Sequence, residues 1–248
     1  MTSTSRFDRS LAQDIPSIRL HGYPVSNWFN CVRAAMIEKG LGSDFVLCRA
    51  AQDNEFLAKS AMGKIPWLET LDGSIAESIA ILEYLDEAYP ERSIFPEDAF
   101  EKAKVRQIVN VIQLYIEAPM RRLYPATFMG GDRDEAPLAD VMEQVDRAMI
   151  ALDHLCDFTS FVRGTALTSA DLVLFYTLEL GERAARHLAN RSLYAGRPAL
   201  QEWDAMMRLR ESTTEVLSDF AAAFADYCDQ RNAEWNEAQY QEMRFSHA

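Results

Sequence analysis

The apolar positions change period partway along the chain. After a polar stretch from Met1 to Pro16, the run Ile18-Arg19-Leu20-His21-Gly22-Tyr23 is short and strand-like, and Gly22 and Pro24 cut it off. Phe29, Val32, Ala35 and Met36 then share one face of a predicted helix that stops at Gly40. Asp44 to Cys48 alternates weakly as a second strand, and Asn54 to Ser60 reads as a short helix leading to Gly63. Trp67 to Thr70, the turn Asp72-Gly73 and Ser74 to Ala76 have the spacing of a hairpin. Ser78 to Tyr89 carries Ile79, Leu82, Leu85 and Tyr89 at helical spacing until Pro90 ends it. The predicted order is βαβαββα.

Beyond Pro90 the strand rhythm disappears. The segment to Asp98, with two prolines and several charges, suits a linker. Helices are predicted at 99–128, kinked near Pro119, and at 138–158, 169–188, 198–210 and 213–231. The expected organisation is a polar arm (1–16), an α/β domain (17–90), a linker (91–98), an all-helical domain (99–231) and a tail (232–248).

Composition narrows the function classes. At 248 residues, 48% hydrophobic and 25% charged, the chain is a soluble globular protein long enough for two cores. With 25 Lys and Arg against 38 Asp and Glu, the net charge of -13 argues against a nucleic-acid partner. No apolar run is long enough to span a membrane, and the arm lacks the apolar centre of a signal peptide, so a cytoplasmic location is expected. Cys31, Cys48, Cys156 and Cys228 are scattered and make no metal-ligand spacing, so no metal is expected.

Four pieces fall in order over a short stretch: Gly63-Lys64-Ile65-Pro66-Trp67-Leu68, Asp72-Gly73, Glu77-Ser78 and Ile81-Leu82-Glu83-Tyr84-Leu85. Further on, Gly164 precedes Thr168-Ser169-Ala170-Asp171-Leu172, a threonine three residues before an acid at the head of an apolar run, the pattern of a capping box. Together these resemble the cytosolic glutathione S-transferase family of bacterial, serine type. The resemblance implies a thioredoxin-like N-terminal domain followed by an all-helical C-terminal domain. By itself Ile65-Pro66 reads as a plain trans turn; the resemblance makes it a cis bond beside which the Ile65 backbone is open to an extended tripeptide.

Lys64, Ile65, Pro66, Glu77 and Ser78 are the glutathione-binding residues the resemblance implies, with Glu77 meeting the ligand's amino group and Ser78, capping the following helix, its carboxylate. The loop Tyr23-Pro24-Val25-Ser26-Asn27-Trp28 is where a donor to the thiol is sought. Ser26 falls where serine-type members carry their catalytic residue. Tyr23 is a rival, although one residue out of register for a tyrosine-type enzyme, and Asn27 is a third candidate. A second-substrate pocket is expected at Trp28, Tyr115, Met120, Tyr124 and Phe128, while Arg121-Arg122 face solvent. Thr168 and Asp171 are structural. The resemblance further implies a homodimer acting in detoxification on glutathione and a small apolar electrophile. Glutathione-dependent peroxidase or reductase chemistry at the same site, and a non-catalytic regulatory protein of the same fold, stay open.

Overall fold

The computed structural model describes residues 18–245, so the polar arm lies outside the described residues. Four strands, β1 (Arg19–Gly22), β2 (Phe45–Leu47), β3 (Trp67–Thr70) and β4 (Gly73–Ala76), form one sheet in the order β2-β1-β3-β4. β1 and β2 are parallel; β3 runs antiparallel to both β1 and β4. Leu20 pairs with Phe45 on one side and Leu68 on the other, and Leu68 with Ile75. Since strand side chains alternate between faces, this register puts a row of apolar residues on one face. Helix α1 (Asn27–Glu38) and α3 (Ser78–Ala88) complete this thioredoxin-like domain, with a one-turn α2 (Asn54–Leu57) between β2 and β3. Gly22 is required where β1 ends, because a Cβ there would lie 2.2 Å from the ring of Phe29.

A short turn at Pro90–Arg92 leads into the helical domain: α4 (Ala99–Ile112), α5 (Ala118–Arg121), α6 (Tyr124–Phe128), α7 (Glu135–Leu155), α8 (Ser169–Ala189), α9 (Pro198–Arg208), α10 (Glu211–Asp229) and α11 (Glu237–Phe245). The helix expected to run from 99 to 128 is broken more than kinked. Between α4 and α5, Gln113–Glu117 widens into a π-turn in which the Ala118 N–H donates to the Gln113 carbonyl, five residues back. Pro119 has no N–H to offer, and its ring crowds the carbonyl four residues earlier, which a wider turn relieves. Pro125 opens α6 after a second interruption. The tail expected after 231 carries α11, whose polar sequence gave little periodic signal.

One buried core spans both domains, and α1 is its shared element. The sequence pattern gave α1 a single apolar face, yet nine of its twelve residues are buried, because the sheet and α3 cover one side while α8 and α10 cover the other. Its polar side chains join the domains. Arg33 bonds Asp219 at 2.6 Å and Glu215 at 3.2 Å, and Glu38 accepts two bonds from Arg210, at 2.8 and 2.7 Å.

Asp171 anchors the start of α8. Its carboxylate accepts from the Thr168 N–H (2.8 Å), the Thr168 hydroxyl (2.8 Å), the Val162 N–H (2.7 Å) and the Trp203 indole N–H (3.0 Å). Burial still pushes this carboxyl above the usual range, so the four donors compensate only part of its desolvation. Asp171→Ala leaves these donors without an acceptor, each worth about 1–3 kcal/mol when buried. A loss of at least about 3 kcal/mol in urea unfolding is expected; a loss under about 0.5 kcal/mol contradicts this role.

Candidate active site

The N-terminus of α1 opens into a cleft of about 850 Å³ between the domains. Ser26 is the N-cap: its backbone is extended (φ -78°, ψ 117°) and its Oγ accepts from the Phe29 N–H at 3.3 Å. Accepting that bond leaves the hydroxyl proton free, since a serine hydroxyl has one donor and two lone pairs. Ser26 lines the cleft, as do Tyr23, Asn27 and Trp28. Tyr23, the rival candidate, lies just past the end of β1 at Gly22, where strand alternation stops and a one-residue offset no longer decides the face. Asn27 is 4% exposed, and its amide is engaged at both ends, donating to Glu117 Oε1 at 3.3 Å and accepting from Arg121 Nη2 at 3.0 Å.

The facing loop supplies Lys64, Ile65 and Pro66. The Ile65–Pro66 peptide is cis. Lys64 donates its N–H to Ser60 Oγ at 3.3 Å, whereas the backbone N–H and carbonyl of Ile65 have no partner among the described residues. Next to this loop, Glu77 holds a left-handed backbone (φ 67°, ψ 110°) that costs a non-glycine residue about 1–3 kcal/mol. Glu77, not Ser78, is the N-cap of α3; Ser78 is the first helical residue and caps nothing. The correction matters chemically, because no side chain satisfies the first N–H groups of α3, and they open on the same cleft.

The opposite wall departs from the expected aromatic stripe. Ile112, Ile116 and Met120 fall four residues apart and are fully buried, so Met120 belongs to the core and not to the cleft. Tyr115 is 55% exposed and also lies outside the cleft. The residues that line it are Gln113, Leu114, Glu117, Ala118 and Arg121, the side that the π-turn presents, together with Tyr124 and Phe128 as expected. Arg121 and Arg122 are exposed to solvent as expected and also line this wall, with Arg121 paired to Glu117 and Arg122 to Asp140 at 2.7 Å. Burial pushes the Tyr124 phenol pKa up, and its hydroxyl has no hydrogen-bond partner among the described residues. Leu180, Phe224, Tyr227, Arg231 and, from the first domain, Arg49 also line the cleft. No local motif marks these last residues, which the fold gathers from distant parts of the chain.

None of the four cysteines is poised as a nucleophile. Burial raises the thiol of Cys31 far up and that of Cys48 less so, pushes Cys156 up to about 12 and Cys228 to about 11. Among the described residues no group of side chains could hold a metal ion, and no helix is long and apolar enough to cross a membrane.

A thioredoxin-like domain presenting two helix N-termini to a cleft closed by a helical domain defines a class of small-ligand-binding, two-domain proteins. Comparison with known proteins places the chain within it. A family profile described as the N-terminal domain of glutathione S-transferase matches residues 20–93. A glutathione S-transferase of Pseudomonas putida is 30% identical over 86% of this chain and 96% of its own length. A zeta-class glutathione S-transferase of Euphorbia esula is 31% identical over 64% of this chain and 73% of its own. The crystal structure of a glutathione S-transferase from Rhodospirillum rubrum superposes with a TM-score of 0.69 at 26% identity, covering 81% of this chain and 92% of that one. The chain belongs to the glutathione S-transferase family.

The cap on α1 makes a prediction that is independent of any ligand. Ser26→Ala lowers the unfolding free energy by about 1 kcal/mol, while Ser26→Thr, which keeps the acceptor, changes it by only a few tenths. Equal stability for all three proteins in urea unfolding contradicts the cap.

Proposed function

We propose that the cleft binds reduced glutathione as its thiolate and transfers it to a small electrophile with an apolar body. The observation that carries this reading is that the N-termini of α1 and α3 open into one cleft, with Ser26 at the first and Glu77 at the second. A helix N-terminus favours a nearby anion by about 0.3–1 kcal/mol, so the cleft offers two anion positions at fixed separation.

In this reading the carboxylate of Glu77 meets the amino group of the γ-glutamyl end, and the uncapped N–H groups of α3 with Ser78 hold its carboxylate. The unpartnered backbone of Ile65 pairs with the extended tripeptide as an added strand, and Lys64 meets the far carboxylate. The sulfur then comes to the N-terminus of α1, where the Ser26 hydroxyl donates to it. A free thiol has a pKa near about 8.5, and each pH unit of lowering requires about 1.4 kcal/mol of preference for the anion. One hydrogen bond to a charged acceptor plus the helix terminus supplies one to two such units. The thiolate attacks the electrophilic carbon, the carbon–sulfur bond forms, and the leaving group departs with its electron pair. Trp28, Phe128, Leu180 and Phe224 provide the apolar wall for the electrophile.

Conjugation is favoured over disulfide exchange because position 26 carries a hydroxyl and burial holds the protein's own thiols in their protonated form. A cytoplasmic homodimer belongs to the same reading, supported by membership of the family.

Two measurements test it. Glu77→Ala weakens glutathione binding about 10- to 100-fold in calorimetric titration by removing the amine's partner. Glu77→Gly weakens it as much yet is about 1 kcal/mol more stable than Glu77→Ala, since glycine adopts the left-handed backbone freely. Binding undiminished in both variants removes Glu77 from the ligand site. Separately, Ser26→Ala raises the pKa of the bound thiol, read from thiolate absorbance, by about one to two pH units and shifts the pH–rate profile upward by the same amount. If Tyr23→Phe moves the pKa and Ser26→Ala does not, the phenol is the donor.

A further inference from the structure

We propose that the electrophile carries a carboxylate, which Arg49 and Arg231 hold in the cleft. This deepens the transferase reading and rests on it. The chain has 38 acidic residues against 25 basic ones, yet its cleft is lined by five cationic side chains and two acidic ones. Arg121 is committed to Glu117 and Arg122 to Asp140. Glu77 and Lys64 are matched by the amino group and far carboxylate of glutathione. Arg49 and Arg231 remain, and neither has a carboxylate partner among the described residues.

Each of these two guanidiniums rests on a tyrosine ring. Arg49 stacks 4.1 Å over the ring of Tyr23, Arg231 stacks 3.6 Å over the ring of Tyr227, and the two rings are 6.2 Å apart. The result is a contiguous cluster of four side chains, two from each domain, all lining the cleft, with the two rings tilted by 43°. A guanidinium lying on an aromatic face keeps its N–H donors in its own plane, directed past the ring. Apart from one N–H that Arg231 gives to the Tyr227 carbonyl at 3.1 Å, neither guanidinium has a hydrogen-bond acceptor among the described residues. Two oriented planar forks match the geometry of a carboxylate, and in a protein of net charge -13 they draw an anion to this one place. The apolar body of the substrate then lies against Phe128, Leu180 and Phe224.

The test compares 4-chloro-3-nitrobenzoate with its methyl ester, both open to thiolate attack at the carbon bearing chlorine. The carbon–sulfur bond forms there and chloride leaves with the electron pair of the carbon–chlorine bond. The ratio of kcat/KM for acid and ester is measured in the wild type, Arg49→Gln, Arg231→Gln and the double variant, so that the intrinsic reactivities cancel. Each single variant is expected to lower the ratio about tenfold to a hundredfold, chiefly through KM for the acid, while KM for glutathione moves by less than about twofold. Arg231→Lys, which keeps the charge and serves if the glutamine variant folds poorly, retains part of the preference. An unchanged ratio overturns the proposal: with KM for glutathione raised, the arginines belong to glutathione, and with it unchanged, they only pack on the tyrosines. If the wild type turns over neither compound and calorimetric titration shows no binding of reduced glutathione, the transferase reading fails by itself. Calorimetric titration with 3-nitrobenzoate still decides the anion site, since binding weakened at least tenfold in the double variant supports it and equal binding overturns it.

Discussion

Burial of α1 on every side is the constraint from which the site follows. A helix covered on one face can shift or fray, whereas α1 lies between the sheet and α3 on one side and α8 and α10 on the other, and it is pinned by Arg33 to α10 and by Glu38 to Arg210. Its N-terminus is therefore held relative to both walls of the cleft, and a residue that caps it inherits that position. Ser26 serves both ends with one side chain: its oxygen satisfies a helix N–H, and its proton remains for the ligand. Fixing a donor before the ligand arrives is what makes a single hydrogen bond effective on a developing thiolate.

Local charge runs against the global balance. The net charge of -13 repels polyanions, while the cleft gathers cationic side chains from both domains. Within it the acids are few and assigned. Glu117 is buried and holds Asn27 and Arg121 together across the domain boundary, and Glu77 is kept in a left-handed backbone that a glycine would adopt without cost. In the proposed reading, that backbone sets the Glu77 carboxylate at the head of α3, beside the ligand's amino group.

Much of the architecture was legible because it depends on local chemistry. Short runs bounded by turn residues marked the strands, Pro90 marked the end of α3, and Thr168 with Asp171 marked the start of α8, since each is a statement about a few adjacent residues. What escaped depends on distance or on register. Pro119 signalled a disturbance but not its form, and the extra residue in the π-turn decides that Glu117 and Arg121 face the cleft while Tyr115 does not. Met120 has the composition of a pocket residue and the spacing of a core residue, and the spacing prevailed. Tyr23 was judged by strand alternation just past the point where the strand ends. Arg49, Tyr227 and Arg231 carry no motif at all, because only the folded chain stacks them.

A crystal structure of the protein with reduced glutathione shows directly where the sulfur lies. The sulfur is expected within about 3.5 Å of Ser26 Oγ at the N-terminus of α1, the γ-glutamyl end at Glu77 and the first turn of α3, and the backbone of the tripeptide paired with Ile65. A tripeptide in the same cleft with its sulfur on the Tyr23 hydroxyl or the Asn27 amide, and Ser26 bonded only to Phe29, would contradict this placement.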